Sequence, residues 1–143
     1  MSLAIVRFRV AVVALLVAFV VSACGDDTST TDAGQAVTFG NGEIPFTVPK
    51  DFPVPDGGVI GDTLVDRINH KTEFSVQVGL DLTSTVQFYD LGLVSAGYVV
   101  TSSDSISNQL WRIEFNQGEL VGQVTVNSLG GPVSQVVVTL NVA

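Results

Sequence analysis

The stretch TEFSVQVGLDL, Thr72 to Leu82, alternates without a break. Phe74, Val76, Val78, Leu80 and Leu82 point one way, and Glu73, Ser75, Gln77, Gly79 and Asp81 point the other. Side chains of a strand leave opposite faces in turn, so a period of two with one polar side is the pattern of a strand half-buried on a core. A polar second face is what antiparallel sheets show, because parallel sheets are covered on both sides.

Downstream, the period changes. Val86, Tyr89, Leu93, Val94 and Ala96 fall on one stripe of a helix. Ser84 with Gln87 three positions on fits a capping box, and Gly97 fits the left-handed residue that ends a helix. Gly92 lies inside, at a cost of about 1 kcal/mol relative to Ala. Phe88 and Leu91 fall on the other side, either covered by another segment or exposed to a partner. Tyr98-Val99-Val100 begins a return strand, and Thr101 to Asn108 reads as a polar loop. Leu110 to Phe115, Glu119 to Asn127 and Val133 to Val142 then alternate again. Asn116-Gln117-Gly118 and Gly130-Gly131-Pro132 are the turns between them. The expected fold is α+β: a mainly antiparallel sheet of four to five strands with one helix packed on one face, in the order strand-helix-strand-strand-strand.

Upstream, residues 39–58 hold Pro45, Pro49, Pro53 and Pro55, which exclude a helix and a central strand. Phe46, Val48, Phe52 and Val54 make this an apolar arm laid across the domain, closed by a turn at Asp56-Gly57-Gly58. Residues 25–37, GDDTSTTDAGQAV, have too little apolar surface to fold and read as a tether, whose mean reach is roughly 20 Å.

Residues 1–23 have the three parts of an export signal. Arg7 and Arg9 are its positive start, Val10 to Val21 an uncharged apolar run, and Ser22-Ala23 the small residues before a cut. The apolar run falls short of the roughly 20 residues of a membrane span. Val21-x-Ala23 also fits ordinary signal cleavage, which leaves a bare thiol. The chain divides into a signal at 1–23, a tether at 24–38 and a small globular domain at 39–143.

Val21-Ser22-Ala23-Cys24 resembles the bacterial lipobox: an aliphatic residue, two small ones and a required cysteine. The only cysteine of the chain stands at that place, with Val21 where Leu is usual. The resemblance implies a diacylglycerol on the Cys24 sulfur and cleavage before Cys24. One acyl chain holds a protein to a bilayer only marginally, whereas two make a durable anchor. The domain also resembles small actinobacterial lipoproteins of unassigned function. The residues that carry this are the Asp51-Phe52-Pro53-Val54-Pro55 arm, Phe88-Tyr89, Ala96-Gly97-Tyr98 and the last two strands. That likeness implies a place, the extracytoplasmic face of the cell membrane, and no activity.

Without the leader, four Lys and Arg face 14 Asp and Glu, a charge of −10. Such a surface repels phosphate backbones and anionic lipid headgroups, so nucleic acid is not an expected partner. One cysteine and one histidine provide no zinc set, Asp62 and Asp66 no calcium loop, and no Gly-x-Ser-x-Gly or phosphate loop occurs. We therefore expect no enzyme, no metal and no cofactor. The expected role is a lipid-anchored binding or accessory module, with the polar sheet face (Glu73, Gln77, Arg112, Glu114, Gln123, Gln135) as contact surface. The alternative is a carrier of a small apolar ligand or lipid, between helix and sheet or under the arm. Phe88, Leu91, Phe46 and Phe52 are the candidate contacts to a partner or apolar ligand.

Overall fold

The computed structural model describes residues 35–142, which belong to one compact unit. The signal at 1–23, Cys24 and most of the tether lie outside the described residues. The elements are β1 (Val37–Asn41), β2 (Val59–Asp66), β3 (Lys71–Val78), α1 (Leu82–Ser95), β4 (Val99–Ser107), β5 (Leu110–Gln117), β6 (Leu120–Ser128) and β7 (Ser134–Val142).

The expected sheet of four to five strands is corrected to seven, all antiparallel, in the order β1-β2-β3-β7-β6-β5-β4. Two strands precede the decisive alternating stretch, so the helix comes after three strands rather than one. β1 overlaps the tether at Val37 and Thr38. β2 hides its alternation behind a bulge between Ile60 and Thr63, where one extra residue shifts the face of those that follow. The expected loop at 101–108 is most of β4. Its Ser and Thr side chains suit an edge strand, which needs an apolar face less than a central one does.

The seven strands form two meanders. β1, β2 and β3 run to the middle of the sheet, α1 carries the chain to the far edge, and β4 to β7 return. β7 closes the sheet by pairing with β3 over its whole length, from Lys71 opposite Asn141 to Val78 opposite Ser134. Core residues line up across strands: Phe74 opposite Val138, Val138 opposite Val124, and Val124 opposite Ile113. All four side chains are fully buried.

The alternation at 72–82 overruns its strand. β3 stops at Val78, and Asp81 caps the helix, its Oδ1 accepting from the Ser84 N–H at 2.7 Å. That bond holds the Asp81 carboxyl below its usual range. The N-cap is therefore Asp81 in place of the Ser84 capping box. At the other end, Gly97 takes φ 86°, the Gly97 N–H donates to the Val94 carbonyl, and the Tyr98 N–H donates to the Leu93 carbonyl. This pair of bonds is the left-handed stop expected from Gly97. Thr85, Val86, Tyr89 and Leu93 are the buried side of α1, whereas Val94 is exposed.

The helix packs over β4, β5 and β6. The proline-rich arm packs beside it, over β3. Phe52 enters the core at 6% exposure, with its ring centroid 6.0 Å from Phe74, 5.9 Å from Tyr98 and 5.9 Å from Phe115. Pro53 lies against the helix at Gly92, where a Cβ would stand 3.0 Å from the proline Cβ. The glycine that looked costly in the helix is the place where the arm comes down on it.

Gly122 has a similar role in the sheet. It lies opposite Phe115 on the covered face, and a Cβ there would run into the Phe115 ring. An aromatic ring folded over a cross-strand glycine fills its space and helps fix register. Gly122→Ala is expected to lose about 1–3 kcal/mol of unfolding free energy in urea titration, the usual cost of overpacking.

Candidate functional site

Because one face of the sheet takes the helix and the arm, the other is left bare. Register places a single row across it: Phe39, Leu64, Glu73, Thr139, Gln123, Glu114 and Ser102, one from each strand. A second row holds Ser75, Val137, Thr125, Arg112 and Asp104. A third holds Gln77, Gln135, Asn127 and Leu110. The six residues expected to form a contact surface, Glu73, Gln77, Arg112, Glu114, Gln123 and Gln135, thus share this face.

Its polarity is mostly uncharged. Gln123 Nε2 donates to Thr125 Oγ1 at 3.0 Å, and Thr139 Oγ1 donates to Glu73 Oε2 at 3.3 Å. Lys71 Nζ sits 2.9 Å from the same Glu73 oxygen. Two shallow depressions open on this side. One of about 330 Å³ is bordered by Glu114, Asn116, Gln123, Thr139 and Asn141. The other, about 470 Å³, joins apolar Phe39, Leu64 and Val137 to the carboxylates of Asp62 and Glu73. Sequence reasoning missed this apolar corner because it depends on β1 and β2. Phe39 is 76% exposed there.

The covered side has its own polar link. Trp111 Nε1 donates to Ser103 Oγ at 2.9 Å, and Ser103 Oγ donates to Asp90 Oδ2 at 3.2 Å. This ties the helix to β4 and β5. Tyr89 is fully buried, and loss of solvation pushes its hydroxyl well above the ordinary phenol range. Together with Leu93, Ile113, Val124 and Phe115 it fills the layer between helix and sheet.

The four aromatic and aliphatic candidates stand in different surroundings. Phe52 is in the core. Phe88 is half-buried and edge-on to Tyr89, with ring centroids 5.2 Å apart. Leu91 stays exposed on the helix, and Phe46 lies exposed beneath the Arg67 guanidinium, 5.9 Å from the ring centroid. Cys24 lies outside the described residues.

His70 falls in the β2–β3 turn at φ 51°. Its carbonyl accepts from the Val142 N–H, so this residue sits at the sheet end as backbone structure. Asp66 closes the turn: its Oδ1 accepts from the Ile68 and Asn69 N–H groups, and its Oδ2 from Asn69 Nδ2. The Asn69 bonds hold its carboxyl below the usual range. Among the described residues, no three His, Cys, Asp or Glu side chains gather to hold a metal. Compared with family models, curated proteins and solved structures, the chain finds no match in any of the three.

The two faces differ sharply in what they tolerate. Gln123→Lys on the bare face should change unfolding free energy by less than about 0.5 kcal/mol. Its neighbour Val124→Thr, nearly isosteric on the covered face, should lose about 1–3 kcal/mol for burying a hydroxyl. Urea denaturation of the two variants checks the assignment.

Proposed function

We propose that this chain is an exported lipoprotein, held at the extracytoplasmic face of a bacterial membrane by a lipid on Cys24. There it acts as a binding or accessory module. The observation that supports a binding role is the bare sheet face, seven strands wide, with the fold's coverings all on the other side. Rows of Gln, Asn, Thr and Ser provide donors and acceptors on a rigid surface, and the Phe39, Leu64 and Val137 corner adds apolar area. Recognition surfaces commonly combine an apolar centre with a polar rim. Asp62 beside that corner favours a partner that brings a cationic group next to an apolar one, Glu73 being already paired with Lys71.

The anchor is tested by mass spectrometry of the membrane-extracted protein. A diacylglyceryl mass on an N-terminal Cys24 is expected, and Cys24→Ser should move the protein to the soluble fraction. An unmodified thiol contradicts the anchor. The contact surface is tested by a photo-crosslinking residue at Gln123 or Thr139, with Leu91 on the outer helix as comparison. Adducts from the two sheet positions that are lost when their row neighbour is changed, Glu114→Arg, are the expected result. Adducts from Leu91 alone contradict it.

A further inference from the structure

The sheet has two edges, and they are finished differently. At β4, bulges after Val100 and after Ser105 break the row of free backbone groups, and Asp104 adds a charge. β1 pairs with β2 without a register shift and has no such device. The strand and its flanks, Gln35 to Gly42 (QAVTFGNG), hold no charged residue and no proline, although the chain carries 14 Asp and Glu. The Arg67 N–H donates to the Ala36 carbonyl, and the Gly42 N–H donates to the Gly61 carbonyl. Backbone groups of an antiparallel strand alternate between its two sides, so the even positions from 36 to 42 face β2. Val37, Phe39 and Asn41 therefore aim their N–H and C=O groups outward, and among the described residues no other strand pairs with them.

We infer that β1 is a self-pairing edge, where a second copy of this chain adds its own β1, antiparallel, about a two-fold axis at Phe39. The outward groups at 37, 39 and 41 are symmetric about that residue. Phe39 then faces its own counterpart, and Val37 faces the second copy's Asn41 on either side, each pair exchanging two hydrogen bonds. The side chains agree with this register. On the covered face, Thr38 comes to lie opposite Gly40, which has no side chain to crowd it; within β1 a Cβ at Gly40 would already stand 2.7 Å from the Thr63 hydroxyl. On the bare face, the two exposed Phe39 rings become cross-strand neighbours. A foreign strand could use the same backbone groups, but only a copy sets Thr38 against Gly40 on both sides of the axis. Copies of a chain this acidic repel one another over most of their surface, and an uncharged edge is where that cost is least. The pairing also closes on itself. It uses up both β1 edges and leaves the two bulged β4 edges outside, so growth stops at two. The result is one continuous sheet with the bare faces side by side and the Phe39, Leu64 and Val137 corners at its middle. Contact between five-residue strands is small, so this dimer exchanges with monomer.

The test uses the chain from residue 25 onward, which keeps every described residue and lacks the only cysteine, so that no native disulfide joins two copies. Sedimentation equilibrium up to about 1 mM is expected to show monomer and dimer with no larger species. Phe39→Pro deletes a donor that points away from β2 and so leaves the β1–β2 ladder whole. It should raise the dimer dissociation constant at least about tenfold, while Leu91→Lys on the outer helix leaves it unchanged. Circular dichroism verifies that both variants fold. A second measurement reads the register without a proline. In Phe39→Cys the two Cα atoms of the pair stand about 5.5 Å apart, within disulfide reach, whereas in Asn41→Cys they stand more than about 13 Å apart. Oxidation with copper phenanthroline should therefore give covalent dimer faster from position 39 than from position 41. Monomer at every concentration, a dimer that Leu91→Lys weakens or Phe39→Pro does not, or equal crosslinking at the two positions overturns the inference.

Discussion

A seven-stranded sheet presents an apolar face that one helix is too narrow to cover, and the rest of the molecule follows from that mismatch. Six interstrand gaps of about 4.8 Å make a width near 29 Å, while a helix with its side chains is about 10 Å across. The fourteen residues of α1 shelter β4, β5 and β6. Phe74, Val76 and Val78 on β3 would otherwise face water. The proline-rich arm covers them, and Phe52 is the side chain that joins arm, helix end and sheet into one core. Prolines suit this segment because it lies on the sheet without joining its hydrogen-bond ladder.

Covering one face twice leaves the other uncovered. The chain meets the hazard of bare sheet with composition and edge geometry. The exposed rows are Gln, Asn, Thr and Ser with scattered charges. The edge strand β4 carries two bulges, after Val100 and after Ser105, which spoil its template for another strand. β1 at the other edge is only five residues long. A surface that discourages indiscriminate strand pairing yet stays broad and rigid suits a specific contact, and its one apolar corner gives such a contact a place to start.

What was legible in the sequence was whatever an alternation or a stop signal wrote locally. β3, β5, β6 and β7 each carry a clean period of two, Gly97 ends the helix where expected, and the six polar face residues follow from the same alternation. β4 was illegible because an edge strand made of Thr-Ser-Ser-Asp-Ser is held by its ladder to β5 rather than by burial. β2 was illegible because Gly61 and Asp62 sit in a bulge that breaks its rhythm. Val94 looked like core on a helical wheel but is exposed. The cap passed to Asp81 because the strand stopped at Val78, a limit set by tertiary pairing with Ser134.

The claim on which all of this rests is that Phe52 and its arm are part of the core and not an ornament on it. Urea denaturation of Phe52→Ala tests it most directly. The account predicts a loss of about 3–5 kcal/mol, as for a large aromatic removed from a packed interior. A loss below about 1 kcal/mol, the scale of an ordinary surface change, would contradict it.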